Sequence, residues 1–384
     1  MGFCNLKLRI DAMCDSLKIK KMESKKILFF VIQALFFTAC TSTEFNGKIV
    51  EFSDKAVEEK TIQAETISFA EYHTPLFAVY DSLIVFFNNN PASTHNYSIY
   101  NLHDKTLVGE FFSKGHGHDE FLSMSPISSF FVEDNDLKTF VYAPNEAKQM
   151  IWNVTKSINE KQAVYEKSSS YKSMDPYGAT YTNFEIIDAD KILSHTSSRP
   201  CSTEEGNEEI TLPAYHVHDF SNTELESFSL YNKPIYKDCE IDKTMFYDAI
   251  LGVSPDRKKL VEALYFAPQI NIVDLKSKRV KGFALKGSEG IFRFKQEKVP
   301  MNVFYLGVQA NDKYILALYN EKDEPTGQSD VIHVFDWNGS LLQKIRLSEP
   351  VTNIFLDQKN HILYGAHAEK NEICCYNLLD IGIE

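Results

Sequence analysis

The chain has 384 residues and a mass of 44.0 kDa, with 40 Lys plus Arg against 53 Asp plus Glu and a net charge of −13. Hydrophobic residues make up 43 % and aromatics 13 %, with only 16 Gly and 13 Pro, which excludes disordered, collagen-like and polytopic membrane chains. The acidic balance, without a long basic run, argues against a nucleic-acid partner, because Lys and Arg on phosphates supply most of that affinity.

The first predicted element is an address rather than part of a fold. Lys25 and Lys26 precede the mostly apolar stretch Ile27 to Phe37, and Thr38, Ala39 and Cys40 follow. As a helix that stretch spans about 16 Å, roughly half of a bilayer core of about 30 Å. A basic start, a short apolar run and small residues before a cut site describe a secretory signal peptide. Cys directly after the small pair is the arrangement of a bacterial lipoprotein signal, in which the thiol takes a diacylglyceryl group and becomes the new N-terminus. Phe37 stands where such signals usually carry Leu. We therefore predict a signal peptide over 1–39, with 1–21 upstream of the true start if that start is Met22. Cys40 would then be the lipid anchor, and 40–60 a linker. The alternative is a buried apolar helix with an incidental Cys. Residues 1–39 hold seven of the basic and three of the acidic residues, so the remainder carries −17. Anionic lipid repels such a chain, so the acyl group and not charge would hold it at a membrane.

Beyond residue 45 there is no long helical periodicity, only short β-rich runs between turn residues. Six segments repeat one pattern: an aliphatic residue, usually an aromatic, then Asn or Asp, then an apolar residue. They are Ile99-Tyr100-Asn101-Leu102, Ile151-Trp152-Asn153-Val154, Val217-His218-Asp219-Phe220, Ile272-Val273-Asp274-Leu275, Val334-Phe335-Asp336-Trp337 and Cys375-Tyr376-Asn377-Leu378. The Asn/Asp positions are 52, 66, 55, 62 and 41 residues apart. Neighbouring residues of a strand face opposite sides, so a strand apolar on both faces belongs between two other sheets. The Asn or Asp opens a turn, because its side chain bonds nearby backbone. A further strand follows at Thr106–Phe112, Leu225–Leu230, Arg279–Leu285 and Leu341–Leu347. One or two precede each motif, as at Phe77–Tyr80 with Leu83–Phe87 and Val303–Val308 with Tyr314–Tyr319. Four strands in each of six units predict an all-β, six-bladed β-propeller over 61–384. Too few residues follow Asn377 for an outer strand, so Thr61–Phe69 is expected to supply it and close the ring. Pro75, Pro126, Pro300 and Pro350 each precede the first strand of a unit, where a missing N–H costs little.

Three stretches carry a resemblance. Gly252-Val253-Ser254-Pro255-Asp256-Arg257-Lys258-Lys259-Leu260 resembles the Ser-Pro-Asp-Gly-Lys-x-Leu hairpin of TolB-type propeller repeats, with Arg257 in place of the turn Gly. Lys114-Gly115-His116-Gly117-His118-Asp119-Glu120-Phe121, followed by Pro126, resembles the Gly-x-Gly-Pro-Gly-Glu-Phe inter-blade loop of six-bladed propeller lipoproteins from gut Gram-negative bacteria. His118 and Asp119 replace the usual Pro and Gly. Val334-Phe335-Asp336-Trp337-Asn338-Gly339 with Leu341 looks like the closing hairpin of the same proteins. With Cys40 the resemblance spans 40–384. It implies a TolB-like propeller lipoprotein of the cell envelope, on the outer membrane and facing the periplasm or the exterior. It transfers no catalytic residues.

Candidate chemistry is sparse. His116 and His118, with Asp119 and Glu120, form the densest group of metal-type ligands, and a His-x-His pair with carboxylates could hold zinc given further ligands. A solvated inter-blade loop explains the same residues, so no metal site is assigned, and His116 and His118 stand as weak candidates. His216 and His218 also share a strand face. In the repeat, however, His218 occupies the slot of Tyr100, Trp152, Phe335 and Tyr376, and His333 that of His216, so packing is the preferred reading. No Gly-x-Ser-x-Gly elbow and no phosphate loop occur, and no cofactor is implied. Cys374 and Cys375 read as packing residues, while Cys201 with Cys239 is a candidate disulfide in an exported protein. Ser194–Pro213 reads as an acidic solvated loop that lengthens the third unit. The favoured function is a lipid-anchored, non-catalytic module that binds an envelope protein, a peptide or a glycan. The alternative is an envelope enzyme acting on saccharides through acids at the central channel, which needs two carboxyls about 5–10 Å apart.

Overall fold

Six blades radiate from one axis. The computed structural model describes residues 44–69, 76–171, 181–188, 190–196, 199–202, 208–235, 243–296, 302–322 and 326–384. The predicted signal peptide, Cys40, Pro75, Pro300 and Cys239 lie outside the described residues, as does the side chain of Cys201, and with them the candidate disulfide.

Blade 1 is Phe77–Tyr80, Leu83–Phe87, His95–Asn101 and Leu107–Ser113. Blade 2 is Phe130–Glu133, Asp136–Ala143, Lys148–Asn153 and Tyr165–Ser170, and blade 3 is Tyr181–Asp188, Lys191–Thr196, Ala214–Asp219 and Glu224–Phe228. Blade 4 is Ala249–Val253, Lys259–Leu264, Gln269–Asp274 and Val280–Leu285. Blades 5 and 6 form one continuous sheet, because the 17-residue strand Leu341–Asp357 is the outer strand of one and the inner strand of the other. Tyr305–Ala310, Tyr314–Tyr319 and Ser329–Asp336 complete blade 5, and Ile362–His367 and Glu372–Asn377 continue blade 6. Pro350 falls where the long strand changes partners, from Ser329–Asp336 to Ile362–His367. Within each blade the ladders are antiparallel.

All six repeat motifs end the third strand of a blade, and in all six the Asn or Asp oxygen accepts a backbone N–H from the turn. Asn101 takes His103 at 2.8 Å, Asn153 takes Lys156 at 2.8 Å and Asp219 takes Thr223 at 2.9 Å. Asp274 takes Ser277 at 2.7 Å, Asp336 takes Ser340 at 2.8 Å and Asn377 takes Leu379 at 3.2 Å. In blade 2 that turn grows into the short helix Val154–Glu160, which Asn153 caps. Blades 1, 2, 3 and 5 each carry a bulge just before it, at Tyr100, Trp152, His218 and Phe335. The bulge and the side-chain acceptor together turn the chain without leaving a buried N–H unmatched.

The packing lies between blades. Trp152 of blade 2 is fully buried, stacked on Tyr97 at 5.0 Å and edge-on to Phe112 at 5.2 Å, with its indole N–H donated to the Ser157 hydroxyl. Such aromatic pairs add about 0.5–1.5 kcal/mol beyond the area they bury. In the inter-blade loop Lys114–Phe121 the Glu120 carboxylate folds back to accept the Gly117 N–H at 2.8 Å, and a Cβ on Gly115 would lie 1.9 Å from its oxygen. Phe121 is buried against Phe112.

The expected linker is instead a strap around the ring. Phe45 is buried beside Tyr231, and the backbone on either side bonds Leu230 and Asn232. Gly47–Phe52 then adds a parallel fifth strand to blade 4, and Glu59–Ile62 does the same on blade 5. Glu65–Ser68 pairs antiparallel with Glu372–Cys375 and completes blade 6. The strand expected over 61–69 is therefore split: its first residues belong to blade 5 and only 65–68 close the ring. Sequence hid the strap because its strands are short, carry several exposed polar side chains and, as edge strands, bury one face at most. The Arg346 and Lys344 cations beside Glu59 hold its carboxyl below the usual range and pin the register of the second strap strand. The stretch 194–213 also differs from expectation. Lys191–Thr196 is a buried strand of blade 3, and Arg199–Ser202 pairs with Glu208–Thr211 as a hairpin.

If the strap is part of the fold, Phe45→Ala will lower the free energy of unfolding by about 3–5 kcal/mol, the usual cost of emptying a buried Phe site. Urea denaturation of the full chain measures it. A loss below about 0.5 kcal/mol, ordinary for an exposed position, would return residues 44–60 to a linker.

Candidate functional site

The inner strands of the six blades face the axis, and their far ends turn outward into the second strands. At that end they enclose a cavity of about 420 Å³ to which every blade contributes, among others Tyr80, Phe131, Glu185, Arg257, Gln309 and Gln358 in blade order. A second hollow of about 240 Å³ toward the opposite end shares Ser128, Leu251, Val308, Gln309 and Phe355 with it. The axis is thus a channel with a wide polar mouth.

Arg257 dominates that mouth. It sits in the tight turn of blade 4 at φ 57°, the left-handed region where the resembling repeats carry Gly. The turn holds it there. The Arg257 N–H donates to the Ser254 carbonyl at 2.7 Å, the Ser254 hydroxyl donates to Asp256 at 2.7 Å, and Asp256 accepts the Lys258 N–H at 3.1 Å. The guanidinium lies over the Phe131 ring at 5.1 Å. Among the described residues it makes no ion pair and donates no hydrogen bond. Burial lowers its pKa from the usual value, while the more distant charges of Asp188, Glu133 and Glu185 act the other way. A guanidinium does not lose its proton, so this is a partly desolvated cation facing a cavity. On its other side a cleft of about 220 Å³ runs between blades 2 and 3, past Glu166 and Lys167.

Two acids line the mouth. Glu185 is buried, accepts the Ser128 hydroxyl at 3.2 Å, and is pushed by burial up to about 7, against the pull of Ser128 and Arg257. Asp357 is buried as well, but both its oxygens are committed to the turn that follows, one to the Lys359 N–H at 3.1 Å and the other to the Asn360 amide at 2.7 Å. Lys359 is paired with Asp81 at 3.0 Å.

The sequence-predicted ligands are not brought together. His116 is exposed, and the His118 side chain is 98 % exposed with only its neighbour Asp119 at 3.1 Å. Among the described residues the group able to hold a metal is instead His216, His218 and Glu224. His218 does bury in its packing slot, and His333 is wholly buried, stacked on Tyr319 at 4.1 Å. Cys374 and Cys375 are free thiols packed in blade 6. Arg257 was visible in the sequence only as a broken turn motif, and nothing in the sequence paired it with Glu185 or Phe131.

These features define a six-bladed β-propeller with an open, cation-bearing channel mouth. The family profile described as TolB-like 6-blade propeller-like matches residues 51–359, and the chain belongs to that family. An exported protein of Bacteroides fragilis shares 10 % identity over 86 % of this chain and 99 % of its own, with a TM-score of 0.48. A DUF4221-family member from Bacteroides vulgatus shares 10 % over 82 % and 96 %, also at 0.48. Raptor from Chaetomium thermophilum shares 10 % over 83 % of this chain at a TM-score of 0.47, and the match spans 29 % of that protein. No curated protein matches. Among the described residues no helix is long and apolar enough to cross a membrane.

The raised Glu185 pKa fixes a pH dependence. An acid that holds its proton better when folded adds stability that is fully present below its unfolded value of 4.5 and is lost as pH rises through about 7. The span corresponds to on the order of 3 kcal/mol. The thermal midpoint should therefore fall between pH 4.5 and 7, and Glu185→Gln should flatten that fall. Parallel curves for the two proteins would place the Glu185 carboxyl in contact with bulk water.

Proposed function

We propose that the protein is a lipid-anchored propeller of the cell envelope that acts as a non-catalytic binding module, taking a carboxylate-bearing glycan or peptide end at the channel mouth. The observation that carries this reading is Arg257: a partly buried cation with no ion-pair partner among the described residues, set over an aromatic ring at the wall of a cavity. A planar guanidinium matches a carboxylate through two parallel N–H donors, and a partly dry site strengthens the contact. Phe131, Phe130 and Tyr80 line the same cavity and offer apolar surface to the remainder of a ligand. Cys40, as the acylated residue, would hold the module at the outer membrane.

Glu185 favours a second reading, an envelope enzyme acting on saccharides, since a carboxyl near 7 is poised as a general acid. It is the weaker of the two. The other acid at the mouth, Asp357, has both oxygens in turn hydrogen bonds and offers no ready base or nucleophile.

Paired oligosaccharide and peptide panels, acidic against esterified or amidated, test the proposal by calorimetry on the full chain. An acidic member should bind, its neutral partner should bind about tenfold or more weaker, and Arg257→Gly should erase the difference. Glycine relieves left-handed strain of about 1–3 kcal/mol and forfeits a Phe131 contact of roughly 0.5–2 kcal/mol, so the variant should stay folded with a stability within about 2 kcal/mol of the wild type. Equal binding of acidic and neutral members would refute the carboxylate reading. Release of reducing ends that disappears in Glu185→Gln would install the saccharide enzyme in its place. Cys40→Ser should move the protein from the membrane pellet to the soluble fraction of its host.

A further inference from the structure

We propose that His216, His218 and Glu224, on the outer half of blade 3, form a divalent-metal site suited to zinc. His216 and His218 alternate on one strand and so present both imidazoles to the same face, with rings 6.0 Å apart and within 23° of parallel. Glu224 comes from the neighbouring outer strand. It pairs with His218 in register, but the bulge at Val217/His218 skews the ladder and carries its carboxylate to 3.2 Å from Nδ1 of His216. One ligand atom from each residue lies within 4.8 Å of the others. Ligands about 2.0–2.1 Å from a tetrahedral zinc stand roughly 3.3 Å from one another, so one pair is already at that spacing and His218 needs a small side-chain rotation.

The surroundings suit a metal. Two neutral imidazoles and one carboxylate are the donor set of zinc sites that keep a position open to water. Nε2 of His216 lies 3.4 Å from the Thr196 hydroxyl, which also spans the Ala214 backbone, accepting its N–H and facing its carbonyl at 3.2 Å. When that hydroxyl donates to the carbonyl it can accept Nε2–H of His216, and a cation seated between the imidazole and Glu224 would take the Nδ1 lone pair. That is the tautomer a metal requires, and an outer hydrogen bond of this kind is what orients metal-bound histidines. The Glu224 side chain is 45 % exposed, which leaves an approach from solvent. The equivalent histidine of blade 5 shows that the repeat does not demand the arrangement. His333 is paired across the ladder with Lys344, a cation, and its ring is stacked on Tyr319.

Zinc analysis tests this on the untagged full chain, by elemental analysis as purified and by calorimetric titration of zinc into the chelator-stripped protein. We expect one zinc per chain. Glu224→Gln, at an exposed position that leaves packing intact, should weaken binding at least tenfold, and His216→Ala should abolish it. A His116→Ala/His118→Ala double variant should bind as the wild type does. Absence of bound zinc and of titration heat would overturn the site. So would affinity unchanged in Glu224→Gln and His216→Ala, or lost in the His116/His118 variant. Circular dichroism of each metal-free variant separates a lost ligand from a lost fold.

Discussion

Everything at the channel mouth depends on one closure, the antiparallel pairing of Glu65–Ser68 with Glu372–Cys375. A propeller blade is a sheet with two edges, and a ring of blades keeps its shape only if the last finds the first. Here the strand that completes blade 6 runs on toward Phe77, the start of blade 1, so one short segment belongs to both ends of the ring. Each ladder hydrogen bond is worth only about 1 kcal/mol net. Their loss would nevertheless open blade 6 to solvent and remove the geometry that makes six inner strands converge. The strap extends the same logic outward. By adding parallel strands to blades 4 and 5 it covers two outer edges that would otherwise be free to pair with other chains.

Closure matters chemically because the channel mouth is assembled from a few residues of every blade. Arg257 shows what the rigid ring permits. A non-glycine residue in the left-handed region costs about 1–3 kcal/mol and persists where its surroundings over-determine it. The Ser254 and Asp256 hydrogen bonds do so here. The strain places a guanidinium on Phe131, two blades away across the mouth, where a cation over a ring gains roughly 0.5–2 kcal/mol. Glu185 then decides how much positive field the cavity feels. Protonated, it leaves the guanidinium facing only the more distant charges of Asp188 and Glu133. Ionised, it competes with any incoming carboxylate for the same cation.

The architecture was legible in the sequence because a propeller repeats its hardest local problem six times. Each blade must turn sharply after a strand that is apolar on both faces, and Asn or Asp solves it every time, so the pattern survives large differences in length. Phe77–Tyr80, Leu83–Phe87 and Tyr314–Tyr319 were readable to the residue for the same reason: they are short, continuous and wholly apolar. The strap was not, since Glu59–Ile62 buries one side chain and looks like a linker. The mouth was illegible for a different reason. Phe131, Glu185 and Arg257 come from three blades, and no local pattern records a meeting that only ring closure creates.

The histidines mark the limit of reading by repeat. Alignment of the blades assigned His216 and His333 to one slot and inferred one role for both. The backbone supports the first step and the surroundings undo the second. His333 has tyrosines on its flanks and a lysine across the ladder, and burial holds it neutral, down to about 3. His216 has a second imidazole beside it and a carboxylate against its ring nitrogen. A repeat fixes where a side chain starts and which face it leaves from. What it does there is set by the residues opposite, and these lie on the outer strands, where the repeat constrains sequence least. The chemistry particular to one propeller is therefore to be sought at slots whose charged neighbours on the outer strand differ between blades: Glu224 lies against the ring of His216, while Lys344 stands opposite His333.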